Sequence, residues 1–338
     1  MNKPVAREPL NLLWLQSGGC GGCTLSLLNA DCRNLFDTLA GFGIRLLWHP
    51  ALSEASADEA LRIIDDCASG ATRLDILCLE GAVLRGPHGS GGFHRDNHES
   101  MMARVERLAR VARHTVAIGS CAAFGGITAA GHNPTDACGL QFDGDAHGGL
   151  LGDEYRGSGG LPVINIAGCP VHPNWVIETL AILAAGGLDE RGLDTFRRPR
   201  LYADHLVHHG CTRNEFYEFK ASANKPSDLG CLMENLGCKG TQAHADCNIR
   251  TWNGEGSCVR GGYACISCTE PGFEEPGHPF SETPKLGGIP IGLPSDMPKA
   301  WFVALATLSK SATPKRVKEN AQADHQVVAP AVKRTVRK

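Results

Sequence analysis

Between residue 10 and about residue 185, short β-rich apolar runs alternate with amphipathic stretches of helical period. Such alternation marks a parallel sheet covered by helices, an α/β fold. Strands are expected near Leu10–Leu15, Ile44–Trp48, Leu74–Leu79, Thr115–Gly119 and Pro162–Ile166, and helices over Thr24–Leu39, Ala57–Cys67, Glu99–Ala112 and Asn174–Ala184. Beyond about residue 190 the pattern fades. Residues 208–272 are dense in Cys, Gly and Asn, with few long apolar runs. A segment of that kind cannot easily close a hydrophobic core, and bound metal would substitute by cross-linking its loops. From about residue 284 the chain turns Pro/Gly-rich and then basic. Residues 301–338 hold eight Lys/Arg (Lys310, Lys315, Arg316, Lys318, Lys333, Arg334, Arg337, Lys338) against two acids, Glu319 and Asp324. The expected organisation is therefore an α/β domain over 1–190, a loop-rich domain over 191–283 and a separate C-terminal extension over 284–338.

At 42% hydrophobic and 20% charged, the 338 residues are ordinary globular material. A net charge of -3 and an aromatic content of 6% give no footing for nucleic acid, even with the basic tail. No apolar stretch reaches the roughly 18 residues of a spanning helix. Fifteen cysteines change the picture. They stand for a disulfide framework, for metal or for chance. The N-terminal MNKPVAREPLNLLWLQS has no charged region followed by an apolar stretch and cleavage site, and no twin arginine. The expectation is a reducing compartment, the cytoplasm, and metal-bound thiolates.

Ligands of an open α/β sheet sit beyond the carboxyl ends of its strands. Cys20 and Cys23 in QSGGCGGCTLSLL follow the first strand, Cys121 in AIGSCAAFGG follows another, and Cys169 in INIAGCPVHP a third. Three strand tips thus deliver four thiols to one edge, a set suited to a 4Fe–4S cluster. Gly18, Gly19, Gly21 and Gly22 would let backbone N–H groups approach the cluster sulfurs. CGGC between strand and helix also fits a thioredoxin-type dithiol, but such a pair needs no Cys121 or Cys169. Further on, His208, Cys211, Cys231 and Cys238 form one candidate set, and Cys247, Cys258, Cys265 and Cys268 another. Either could hold zinc on spacing alone. Neighbouring His205 and His209 compete with His208, which only its spacing to Cys211 favours.

In order along the chain, LQSGGCGGCTLSLL, LCLEGAV with Glu80, AIGSCAAFGGI, INIAGCPVHP, HHGCTR, GCLMENLGCKG and ACISCTEPGF resemble the small subunit of nickel–iron hydrogenases, over roughly residues 10–280. The resemblance implies a flavodoxin-like, doubly wound parallel sheet followed by a loop-rich iron–sulfur domain. It implies three 4Fe–4S clusters: proximal on Cys20, Cys23, Cys121 and Cys169; distal on His208, Cys211, Cys231 and Cys238; medial on Cys247, Cys258, Cys265 and Cys268. Dihydrogen would be split at an NiFe(CN)2(CO) centre in a separate large subunit, with no catalytic residue for that step here. Many relatives have proline where Cys258 stands, so a fourth thiolate argues for a medial cubane. Oxygen-tolerant membrane-bound relatives carry extra cysteines where this chain has Gly22 and Gly126, so the proximal cluster should be an ordinary cubane.

Within that family the tail resembles the extension of cytoplasmic, hydrogen-sensing regulatory members. There it implies pairing into a dimer of heterodimers and docking to a histidine kinase; the alternative is a cytoplasmic uptake enzyme. Of the remaining cysteines, Cys67 and Cys78 read as core, while Cys32 and Cys138 are open. His88, His94, His98, His132 and His147 read as surface or interface residues.

Overall fold

The computed structural model describes residues 8–96, 99–275, 280, 282–291 and 298–331. His98 and the tail residues Lys333, Arg334, Arg337 and Lys338 lie outside them. The chain divides into two compact units, Met1–Asp204 with Cys268–Pro276, and His205–Ser267 with Gly277–Lys338.

The first unit is built on five parallel strands, β1 (Leu10–Gln16), β2 (Ile44–Trp48), β3 (Ile76–Glu80), β4 (His114–Ile118) and β5 (Ile164–Ile166), in the order 2-1-3-4-5. That is the flavodoxin-like order, whose switch point lies between β1 and β3. The strands β3, β4 and β5 are buried throughout, as a sheet covered on both faces requires. Leu13, Leu15, Leu77, Leu79, Val105, Leu108 and Phe124 belong to one core. Cys67 and Cys78 are fully buried, as expected, and Cys138 joins them. The register aligns the strand ends: Gln16 pairs with Glu80, Glu80 with Ile118, and Ile118 with Ile166. Every loop leaving these tips therefore starts from one line.

All five expected strands are present within two residues at each end. One expected helix is not. Thr24–Leu39 is two helices, Gly22–Leu27 and Leu35–Gly41. The intervening Asn side chains bond to backbone groups themselves, as such side chains do. Asn29 Nδ2 donates to the Leu25 carbonyl, and Asn34 Oδ1 caps the second helix by accepting from Phe36 N and Asp37 N. The helix Ala57–Ser69 starts at a capping box between Ser56 and Glu59 and ends at Gly70, φ 81°.

The domain boundaries also differ from expectation. Residues 191–204 pack with the first unit, where buried Arg198 pairs with Asp194 and Glu270 and donates to the Thr269 carbonyl. The same contacts hold Cys268–Pro276 in that unit. The tail is not separate. Its helix Lys315–Ala321 buries Val317 and Ala321 with Ala221, against Phe216 and Phe219, and Arg316 pairs with Glu215. Among the described residues no helix is long and apolar enough to cross a membrane.

Placing a carboxylate in that small apolar cluster should undock the helix. Val317→Asp is expected to speed limited proteolysis within Lys315–Ala321 by about tenfold or more. The thermal transition of the first unit should stay unchanged.

Candidate metal centres

No disulfide joins any of the fifteen cysteines, all of which are described. At the carboxyl edge of the sheet the structure gathers Cys20, Cys23, Cys121 and Cys169. Their mutual influence measures the gathering. Burial pushes the Cys169 thiol up to about 12, with Cys121, Cys268 and Cys20 adding to the rise. Cys23 is raised by burial, then by Glu80, Cys121 and Cys169. Burial also raises Cys121, and hydrogen bonds from Thr128 and Ile127 partly offset it. Two glycines make the crowding possible. A Cβ on Gly119 (φ +82°) would lie 2.5 Å from Cys23 Sγ, and one on Gly126 (φ +53°) 2.9 Å from Cys121 Sγ.

Glu80 anchors the loop between β1 and its helix. Its Oε1 accepts from Cys23 N and Thr24 N, both at 3.1 Å. Its Oε2 accepts from the Thr24 hydroxyl, from Gln16 Nε2 at 3.0 Å and from Trp14 Nε1 at 3.4 Å. A buried carboxylate is tolerable when so fully hydrogen-bonded. Behind it, His49 Nδ1 accepts from Ala51 N at 3.0 Å, which leaves Nε2–H to face Thr24 Oγ1 at 3.2 Å. The His49 ring packs on Trp14 with centroids 5.1 Å apart.

In the second unit His208, Cys211, Cys231 and Cys238 line one cavity with Tyr217, Arg213 and Leu232. Of the three neighbouring histidines, His208 lines this cavity. His208 packs edge-on against Tyr217 at 4.2 Å, whereas His209 Nδ1 accepts from Leu206 N in its own turn and His205 is exposed. Burial pushes Cys231 up to about 12 and raises Cys211, with Cys238 adding to both. Burial and then Cys238 raise Cys258. The Cys265 carbonyl accepts from Lys239 N, the neighbour of Cys238, at 2.8 Å. Cys247, half-buried, and Cys258 and Cys265 lie in the second unit, and Cys268 in the first.

One local feature recurs. In Cys20, Cys211, Cys231 and Cys265 the sulfur accepts the backbone N–H of the residue two positions on, at 3.3, 3.4, 3.5 and 3.4 Å. Cys23 Sγ accepts from Val171 N at 3.5 Å. Such donors stabilise sulfur that carries negative charge. Among the described residues, no three His, Cys, Asp or Glu side chains converge where a single metal ion could bind.

Two family models match consecutive stretches: an NADH ubiquinone oxidoreductase 20 kDa subunit family over residues 20–183, and the C-terminal family of NiFe/NiFeSe hydrogenase small subunits over 203–281. The F420 non-reducing hydrogenase II small subunit of Methanosarcina mazei is 34% identical over 80% of this chain and 74% of its own length. This chain belongs to the small subunits of nickel–iron hydrogenases. Among solved structures, an actinobacterial-type NiFe hydrogenase from Ralstonia eutropha H16 matches with TM-score 0.74 and 29% identity, over 92% of this chain and 93% of that one. A NiFeSe hydrogenase from Desulfovibrio vulgaris Hildenborough matches with TM-score 0.69 and 31% identity, over 82% and 99%. As a hydrogenase small subunit, the chain carries iron–sulfur clusters and works with a large subunit that holds the nickel–iron centre and oxidises dihydrogen.

Reading the sequence found the thiols but not what holds them. Glu80 stood only inside a motif, although a charge at the tip of the otherwise apolar strand ILCLE was a usable signal. Thr24, His49 and Tyr217 gave none, since only folding brings them to the site. His94, expected at the surface or an interface, is half-buried with Nδ1 at 3.3 Å from Ser17 Oγ.

Burial lowers the His49 pKa to about 4, the nearby Glu80 charge opposing it. The folded value thus lies below the unfolded 6.5, so neutral His49 contributes stability that is present above pH 6.5 and lost as pH falls toward 4. Over that window its loss should cost up to about 3 kcal/mol. The difference in unfolding free energy between the unsubstituted chain and His49→Gln is expected to be flat above pH 6.5 and to shrink below it.

Proposed function

We propose that this chain conducts electrons through three 4Fe–4S clusters, held by Cys20, Cys23, Cys121 and Cys169 (proximal), by Cys247, Cys258, Cys265 and Cys268 (medial), and by His208, Cys211, Cys231 and Cys238 (distal). The observation that carries this reading is the repeated N–H to Sγ bond at cysteines drawn from all three sets. When bound, each cluster accepts and releases one electron at a time. The protein holds the sulfurs, excludes water and directs N–H dipoles at them. His208 in place of a thiolate makes the distal group less negative, and Arg213, whose guanidinium lies within electrostatic reach of Cys211, Cys231 and Cys238, adds positive charge there. Both raise the potential at the distal end, which favours electron flow toward it.

We further propose that the chain serves a cytoplasmic hydrogen sensor, pairing into a dimer of heterodimers and docking to a histidine kinase through its extension. The support is the exposed apolar face of the helix Lys299–Ala312, on which Trp301, Leu305 and Leu308 are 67, 50 and 65% exposed. A second reading, an uptake enzyme, draws on the wider coverage of the actinobacterial-type structure. An extension of this kind need not belong to sensors alone.

Metal analysis of the complex with its large subunit is expected to give about twelve iron atoms and twelve acid-labile sulfides on this chain, from three cubanes. Zinc in their place would overturn the cluster reading. Replacing Trp301, Leu305 and Leu308 together by Glu should leave hydrogen-dependent dye reduction intact while the kinase and the second heterodimer dissociate. An intact larger assembly would refute the docking role. This triple variant is a cleaner test than deleting the tail, because Val317 and Ala321 belong to the core of the second unit.

A further inference from the structure

Ser120 lies between the last residues of β4 and Cys121, is 1% exposed, and has no part in any ligand set. Its backbone and side chain nonetheless tie three cysteine-bearing loops together. Ser120 N donates to the Gly168 carbonyl at 3.0 Å, and Gly168 N, beside Cys169, donates to Ser120 Oγ at 2.9 Å. The hydroxyl proton goes in turn to the carbonyl of Cys268 at 2.5 Å. All three residues belong to the first unit. A single hydroxyl thus joins the loops of Cys121 and Cys169 to the peptide of Cys268. The Cys268 thiol also lies close enough to raise the Cys169 thiol.

The geometry points to Ser120 as a positioning residue for electron passage from the proximal to the medial cluster, fixing Cys268 against the loops of Cys121 and Cys169. The inference rests on the reading of Cys268 as a medial ligand. Its physical basis is register. Cys268 opens the segment that Arg198 holds through Thr269 and Glu270, and its carbonyl accepts the Ser120 hydroxyl. An ordinary buried hydrogen bond holds one of two competing backbone positions by a factor of about five to ten. Without the hydroxyl the equilibrium between the bonded position of Cys268 and displaced ones shifts by that factor, and passage slows by up to as much.

The test uses the complete heterodimer, exposed to dihydrogen and freeze-quenched, with the reduced clusters followed separately by electron paramagnetic resonance. In Ser120→Ala the proximal signal should appear at the unsubstituted rate and the medial signal about five- to tenfold more slowly, with full iron content. Ser120→Thr, which keeps the hydroxyl, should restore the rate. Ser120→Gly gives the same readout as Ser120→Ala should the latter fail to assemble. An unchanged medial rate without the hydroxyl, or equal slowing in Ser120→Thr, would overturn the role of Ser120. A purely structural defect would lower iron content or slow both signals together, and that result also refutes it. The unsubstituted complex tests the underlying reading by itself: without two separately reducible signals, the cluster assignment falls and this role with it.

Discussion

The constraint on which the rest depends is that sulfur ligands are buried where burial alone would keep them protonated. Cys169 and Cys231 are pushed to about 12, and Cys23 higher still. A thiolate in such a place needs a compensating positive charge, which bound iron supplies by replacing the proton. The second unit shows why the fold accepts this condition. Among the described residues its buried apolar side chains are mostly small: Ala221, Val317 and Ala321 cluster with two phenylalanines packed against them, and Val207, Leu232 and Val259 are buried besides. That is far less than the core under the sheet. Metal ligation would then supplement burial in closing those loops.

At the sheet edge the balance differs, because a large core fixes the strands before any metal is considered. What remains is to aim the loops, and hydrogen bonds do so. Glu80 accepts the two N–H groups at the start of the helix Gly22–Leu27, so the carboxylate satisfies donors that a short helix leaves open. The same carboxylate places a negative charge beside Cys23. It disfavours reduction of a group bound there, while the N–H groups on Cys20 and Cys23 oppose that effect. The loop's conformation and its electrostatics therefore come from one residue.

How much of this the sequence disclosed follows from the range of each signal. Strand positions were legible because apolar runs are local and their order is constrained by right-handed crossovers. The strand-tip placement of Cys20, Cys23, Cys121 and Cys169 was legible because it too is a local signal. The break after Leu27 was missed because Asn29 and Asn34 act through backbone bonds that compete with helix over only a few residues. The domain limits were missed for the opposite reason. Arg198 reaches Glu270 and Val317 reaches Phe216 across about seventy and a hundred residues, and no periodicity reports such contacts. The packing of His208 on the Tyr217 ring was likewise invisible to spacing.

The placement of the tail changes what a partner there would do. The short helix Asn214–Glu218 presents Phe216 to Val317 and Ala321, while its Tyr217 packs on His208. Lys220 Nζ stands 3.6 Å from the Tyr217 centroid and 5.8 Å from that of Phe302 on the helix Lys299–Ala312, and Lys310 of that helix pairs with Glu234 at 2.5 Å. Contacts thus run without a gap from the tail to the imidazole of the distal set. A partner that shifted the Lys299–Ala312 helix would move Lys220, and through Tyr217 would change the surroundings of His208. By the reciprocity of linkage, a change in charge at the distal set would alter how well the tail holds that partner. The tail is therefore an extension in sequence but packs, in structure, on the residues next to His208.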